Sequence, residues 1–178
     1  METLEQQADP VRWVVMGVCG CGKSTVGQAL AAACQVRYVE GDAFHPEANV
    51  AKMKAGIALD DDDRKGWLQA LMEQVRGARE EGRGLVVGCS ALKRRYRDLL
   101  RQGDPDLRFA HLHGERDVIA ARLNARTNHY MPPTLLDSQL RDLEPLEEDE
   151  AGIRLDIGAP PAQLVERIRA STMEKAGS

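Results

Sequence analysis

Aromatic residues are scarce in this chain: two tryptophans, three tyrosines and two phenylalanines among 178 residues. A core must therefore come mainly from Leu, Val, Ile and Ala, and stacking platforms for single-stranded nucleic acid have little material. Excess positive charge is missing too, with 24 Lys and Arg against 28 Asp and Glu and a formal net charge of -4. That argues against general attraction to a nucleic-acid backbone and points to a small polyanion as partner. No run of 18 apolar residues exists, so neither a membrane span nor a membrane partner is expected. The leader METLEQQADP carries three acids and no base, opposite to a secretory n-region, which sets the expectation of a cytoplasmic protein. Four cysteines at irregular spacing (Cys19, Cys21, Cys34, Cys89) make no disulfide framework, and reduced thiols are expected.

What is present is ordinary globular material, 43% hydrophobic and 29% charged, in a length that suits one domain. The expectation is a single domain over 1–178, with a polar leader at 1–10 and a lid with its neighbouring helices at about 118–150. Short apolar runs alternate with helical spacing. Strands are expected at 11–18, 37–44, 84–91, 107–114 and from 154, with helices between them. Residues 57–66 read as a polar connection, with Asp60 to Asp63 as a mostly solvated turn, and the next helix begins at Trp67. Helical stretches in 115–150 are broken at Met131-Pro132-Pro133, where a mobile insertion fits. Strict alternation predicts an α/β fold, a parallel sheet flanked by helices on both faces, with ligands at the carboxyl ends of its strands.

Residues 17–25 read GVCGCGKST and satisfy G-x-x-x-x-G-K-[ST] between a buried strand and a helix. Backbone amides of Gly17, Val18, Cys19, Gly20, Cys21, Gly22, Lys23, Ser24 and Thr25 are the candidates for nucleotide phosphates. Lys23 brings charge to the β- and γ-phosphates, and Ser24 Oγ is a candidate Mg²⁺ ligand. Cys19 and Cys21 beside helix-N-terminal amides are expected to have lowered pKa values. No N-K-x-D segment for guanine is present and the chain is short for a motor, which shifts weight toward a compact kinase using ATP and Mg²⁺.

Asp42, at the end of the second strand, could accept a hydroxyl proton or orient the nucleophile, or simply cap the strand. Glu40 lies on the same face and could reach a metal-bound water. Arg64, Ser90, Lys93 and Arg97 offer donors for a polyhydroxylated, anionic acceptor, with Lys93 and Arg97 one helical turn apart. Arg122 and Arg126 precede the broken segment and could neutralise a transferring phosphoryl group. His111 and His113 alternate along a strand, are read as facing opposite sides, and are assigned structural roles. Met53, Met72 and Met131 are assigned to packing.

Together these features resemble the gluconokinase family of small P-loop kinases, relatives of shikimate and nucleoside monophosphate kinases. The resemblance rests on GVCGCGKST (17–25), EGDAFHPEANVAKMKAGIALDDDDRKGWL (40–68), GCSALKRRYRDLLR (88–101) and RLNARTNHYMPPTLLDSQLRDLEP (122–145). It implies a P-loop fold with a mobile helical lid and ATP-dependent phosphorylation of D-gluconate at its 6-hydroxyl, with Mg²⁺. It further implies Asp42 as acceptor-orienting base, Lys23, Arg122 and Arg126 as catalytic cations, and an acceptor set of His45, Lys52, Arg64, Ser90, Lys93, Arg97 and His129. The loop 158–161 becomes a candidate adenine contact, and a homodimer is implied. Cys19 and Cys21 stand where the family more often has serine, Glu40 where Asp is common, Gly66 for a usual proline and Tyr130 for a usual Phe. A shikimate-type or other small-metabolite kinase, and a nucleotide-binding regulator without phosphoryl transfer, are the competing readings.

Overall fold

The computed structural model describes residues 10–125 and 132–175 of the chain. Five strands, β1 (Arg12–Met16), β2 (Arg37–Glu40), β3 (Leu85–Gly88), β4 (Arg108–His113) and β5 (Gly152–Asp156), form one sheet in the order β2-β3-β1-β4-β5. Every pairing is parallel, so all carboxyl ends emerge at one edge of the sheet. Strands with apolar side chains on both faces need cover on both faces, and the connecting helices supply it.

Side-chain alternation divides the core in two. Trp13, Val15, Val86, Ala110 and Leu112 meet Val26 and Leu30 of α1 (Lys23–Cys34) and Leu164 and Ile168 of α7 (Pro161–Lys175). Val14, Met16, Val87 and Phe109 meet Trp67, Leu71 and Val75 of α3 (Asp61–Glu80) and Tyr96 and Leu100 of α4 (Arg94–Arg101). The period of two along each strand produces this split. Three further helices, α2 (Glu47–Lys54), α5 (Arg116–Asn124) and α6 (Pro133–Asp142), complete the described elements.

Helix α3 starts earlier than its apolar periodicity suggests. Asp60 is its N-cap: Asp60 Oδ1 accepts from Asp63 N at 2.8 Å, and Asp63 Oδ2 accepts from Asp60 N at 3.0 Å. The aspartate run is therefore a capping box and a negatively charged first turn, which favours the positive end of the helix dipole. Strand β2 also stops short, at Glu40, and a 3₁₀ turn at Gly41–Phe44 carries Asp42 instead. The histidine reading is corrected as well: residues two apart in a strand share a face, and the His111 and His113 rings meet edge to face at 5.9 Å. Among the described residues, no group of three potential metal ligands is found and no helix is long and apolar enough to cross a membrane.

Candidate active site

The loop after β1 has the geometry that phosphate binding demands. Gly17 has φ 146°, and a Cβ there would lie 2.6 Å from the Leu112 carbonyl oxygen, so only glycine fits. Gly22 caps α1 from the left-handed region with φ 93°, and among the described residues no side chain accepts from the first-turn amides. Those donors remain open to an anion. Lys23 Nζ donates to Val18 O at 3.0 Å, folding its ammonium back over the loop. Ser24 Oγ donates to Glu40 Oε2 at 2.6 Å, and Tyr38 OH donates to the same oxygen at 2.9 Å.

Two cavities share this loop as a wall. The first, about 370 Å³, is lined by Cys19, Gly20, Gly22, Lys23 and Ser24, and equally by Glu40, Asp42, His45, Arg64 and Ser90. The second, about 320 Å³, is lined by Gly20, Cys21, Gly22 and Thr25 together with Arg122, Ala159 and Pro161. Phosphate-loop atoms thus stand between a polar, carboxylate-bearing cleft and a more apolar recess.

In the cleft, the Asp42 side chain is 72% exposed, and its Oδ1 lies 3.9 Å from His45 Nε2. His45 stacks on Trp67 with ring centroids 4.1 Å apart, and Trp67 Nε1 donates to Gly41 O at 2.8 Å. One buried indole therefore fixes both the histidine and the turn that carries Asp42. Burial lowers the His45 pKa below its ordinary value; Asp42 opposes the shift and Arg64 adds to it. Arg64 is buried and donates through Nη1 to Tyr96 OH at 3.0 Å and to Asp142 Oδ2 at 3.1 Å. Among the described residues, its Nη2 and Nε have no protein acceptor, which leaves donors for an anionic ligand.

Several candidates lie elsewhere. Arg97 is fully buried and its donors are engaged within the protein: Nε and Nη2 pair with Glu150 at 2.7 and 3.0 Å, and Nη1 donates to Ala91 O at 2.9 Å and Leu92 O at 3.3 Å. Burial pushes the Glu150 carboxyl up, but Arg97, the Glu147 amide and Arg101 outweigh it and hold the group at about 2. Arg97 instead supports the turn beneath Ser90, where Ala91 has φ 45°. Lys93 is the N-cap residue of α4, not a helix-face partner of Arg97, and it pairs with Asp61 at 3.0 Å. Lys52 pairs with Asp63 at 2.9 Å, and neither lysine lines the cleft. Arg122 donates to Ile157 O at 2.8 Å and belongs to the apolar recess, next to the 158–161 loop, not to the cleft. Arg126, His129, Tyr130 and Met131 lie outside the described residues, as does most of the leader.

For Cys19 the thiol expectation is reversed. Burial raises Cys19 to about 11 against the lowering effect of Lys23, so the thiol stays protonated. Sequence reasoning missed Gln139, whose Oε1 accepts from Cys19 N at 2.7 Å, and the positioning roles of Trp67 and Tyr96. Met53, assigned to packing, also lines the cleft. No spacing rule marks such residues, because their partners lie far away in the chain.

A phosphate loop after the first strand of a parallel sheet, with a carboxylate-bearing cleft beside it, defines a P-loop phosphotransferase. The sequence model described as shikimate kinase matches residues 19–171. The shikimate kinase of Aquifex aeolicus, 16% identical with a TM-score of 0.57, shares the fold. Much nearer are the thermoresistant gluconokinase of Escherichia coli (strain K12), 41% identical over 91% of each chain, and the gluconokinase of Gluconobacter oxydans, 43% identical over 87% of each. The solved gluconokinase structure from Sinorhizobium meliloti is 44% identical, with a TM-score of 0.86 over 96% of each chain. The chain belongs to the gluconokinase family.

Proposed function

We propose that this enzyme transfers the γ-phosphoryl group of ATP to the 6-hydroxyl of D-gluconate, giving 6-phospho-D-gluconate and ADP. The observation that carries the reading is a single cleft in which Lys23 and Ser24 share walls with Asp42, His45, Arg64 and Ser90. Family membership selects the acceptor, and the donor set suits a polyol carrying a carboxylate. Arg64 would take the acceptor's anionic end with the guanidinium donors that Tyr96 and Asp142 leave free. Ser90 and His45 would hold hydroxyls.

Asp42 has an exposed carboxylate and would accept the hydroxyl proton as that oxygen attacks γ-phosphorus. The bond from γ-phosphorus to the β–γ bridging oxygen then breaks, and Lys23 with the loop amides stabilises the charge that builds on the departing ADP. The recess between Arg122 and the 158–161 loop would receive the nucleotide base. Ser24 Oγ and Glu40, 2.6 Å apart, are hard oxygen donors that would suit Mg²⁺, which would neutralise phosphate charge when bound.

A coupled assay of ADP release with Mg-ATP against D-gluconate, shikimate, nucleoside monophosphates and water tests the reading. Turnover with gluconate, lowered by a factor on the order of 10² to 10⁴ in Asp42→Asn with nucleotide affinity retained, is the expected result. Turnover with shikimate alone, or full activity in Asp42→Asn, overturns it.

A further inference from the structure

Helix α6 makes polar contacts with both halves of the cleft. Gln139 and Asp142 of α6 are three residues apart and so share one helix face. Gln139 Oε1 accepts the Cys19 amide of the phosphate loop at 2.7 Å, and Asp142 Oδ2 accepts from Arg64 at 3.1 Å. Just beyond the helix, Glu144 N donates to Leu92 O at 2.7 Å, and Glu144 Oε1 accepts from Arg94 N at 3.0 Å. One short segment thus touches the loop after β1, the cleft arginine of α3, and the turn that follows Ser90. None of these three elements is next to it in sequence.

An amide N–H requires an oxygen acceptor, so the Cys19 bond fixes the orientation of the Gln139 carboxamide. Half-buried and lining the cleft, Gln139 cannot rotate away without leaving that N–H unpaired. Asp142 has a different consequence. It neutralises part of Arg64 while holding the guanidinium at a set place, so any shift of α6 moves the donors offered to the acceptor.

We propose that Gln139 and Asp142 are positioning residues that make α6 a strut, through which nucleotide bound at the phosphate loop orders Arg64 for the acceptor. The inference rests on the gluconate reading above. Nucleotide that fixes the loop fixes Cys19, hence α6, hence Arg64; the acceptor then binds to an arm whose ordering cost has already been met. Such linkage appears as mutual tightening of the two ligands.

Calorimetry of D-gluconate binding, with and without a non-hydrolysable ATP analogue, tests it. In the unaltered protein the analogue tightens gluconate binding by roughly 5- to 10-fold, at the low end of ordinary coupling. Gln139→Met brings that ratio to within about 2-fold of unity, while analogue affinity measured alone changes by less than about 3-fold. Asp142→Leu, which keeps the approximate side-chain size but leaves Arg64 no acceptor at that position, abolishes the ratio as well, while gluconate measured alone still binds. Combining the two changes adds nothing further, since both act through one element. A merely structural role would lower the melting temperature and leave the ratio intact; an unchanged ratio in either variant overturns the proposal. Gluconate binding absent from the unaltered protein in both conditions overturns the substrate reading instead, and the strut with it.

Discussion

The phosphate side and the acceptor side of the cleft are built in opposite ways. Nine consecutive residues, Gly17 to Thr25, make the first, and its chemistry is mostly backbone amide plus one lysine. The second draws on the 3₁₀ turn after β2, on α3, on the turn after β3 and on α6, and its chemistry is side chains. In a backbone cradle the contacts run through amides, Cys19 N to Gln139 Oε1 and Cys21 N to Val18 O, so a change of side chain at 19 or 21 leaves them in place. The acceptor side has no such tolerance, since each of its groups is held by another: Trp67 under His45, Tyr96 and Asp142 on Arg64, Arg97 below the Ser90 turn. Charge near a cleft is therefore a poor guide to binding, and the partner of each charge decides its role.

The contrast can be broken first at Lys23. Its Nζ makes only the Val18 carbonyl contact among the described residues, so Lys23→Met should cost kcat on the order of 10³-fold, comparable to removing a key transition-state donor, with no loss in melting temperature. Steady-state kinetics beside thermal unfolding would separate the two effects. Arg97 should behave in the opposite manner. Arg97→Met leaves Glu150 buried without its main partner and should lower unfolding free energy by about 3–5 kcal/mol in urea titration, whereas pairing it with Glu150→Leu should recover much of that loss. A changed KM at unchanged stability would return Arg97 to the ligand set.

A smaller effect comes from His111, buried on the sheet face that carries Phe109, with neither ring nitrogen hydrogen-bonded. Burial, with His113, Arg154 and Arg97 adding to it, lowers its pKa to about 4. Because the unfolded chain binds that proton more readily, stability is unaffected above about pH 6.5 and falls as pH drops from there toward 4, by at most about 3 kcal/mol. His111→Phe should flatten that part of a pH-stability profile. Smallest is Gly66, exposed inside α3 with open space where a Cβ would stand. Gly66→Ala should stabilise by about 0.5–1 kcal/mol in chemical unfolding, an exchange that the clash with the Leu112 carbonyl forbids at Gly17.

Much of the fold was legible because its signals are local. Apolar runs of strand length, helix periodicity and the glycine-lysine-serine loop each act within about a turn of their own position, and they predicted the parallel sheet and the nucleotide side. Errors arose where a local signal competed with another. The aspartate run reads as solvated turn by composition, yet Asp60 and Asp63 cap each other and start α3. Asp42 and Arg64, which both line the cleft, could be singled out because they sit beside punctuating elements and within recognisable blocks. Gln139, Trp67 and Tyr96 carry no such mark.

By itself, then, the sequence determined the layered α/β architecture, the phosphate cradle and the family, since periodicity and backbone conformation are encoded residue by residue. Tertiary structure alone decided which charged side chains are free to meet a ligand. Arg64 and Arg97 are the same residue type on neighbouring helices, both buried. Arg97 has Glu150 as a full bidentate partner and carbonyls for the rest; Arg64, among the described residues, keeps donors unpaired beside the cleft. That difference follows from contacts dozens of residues apart in the chain, which only folding brings together.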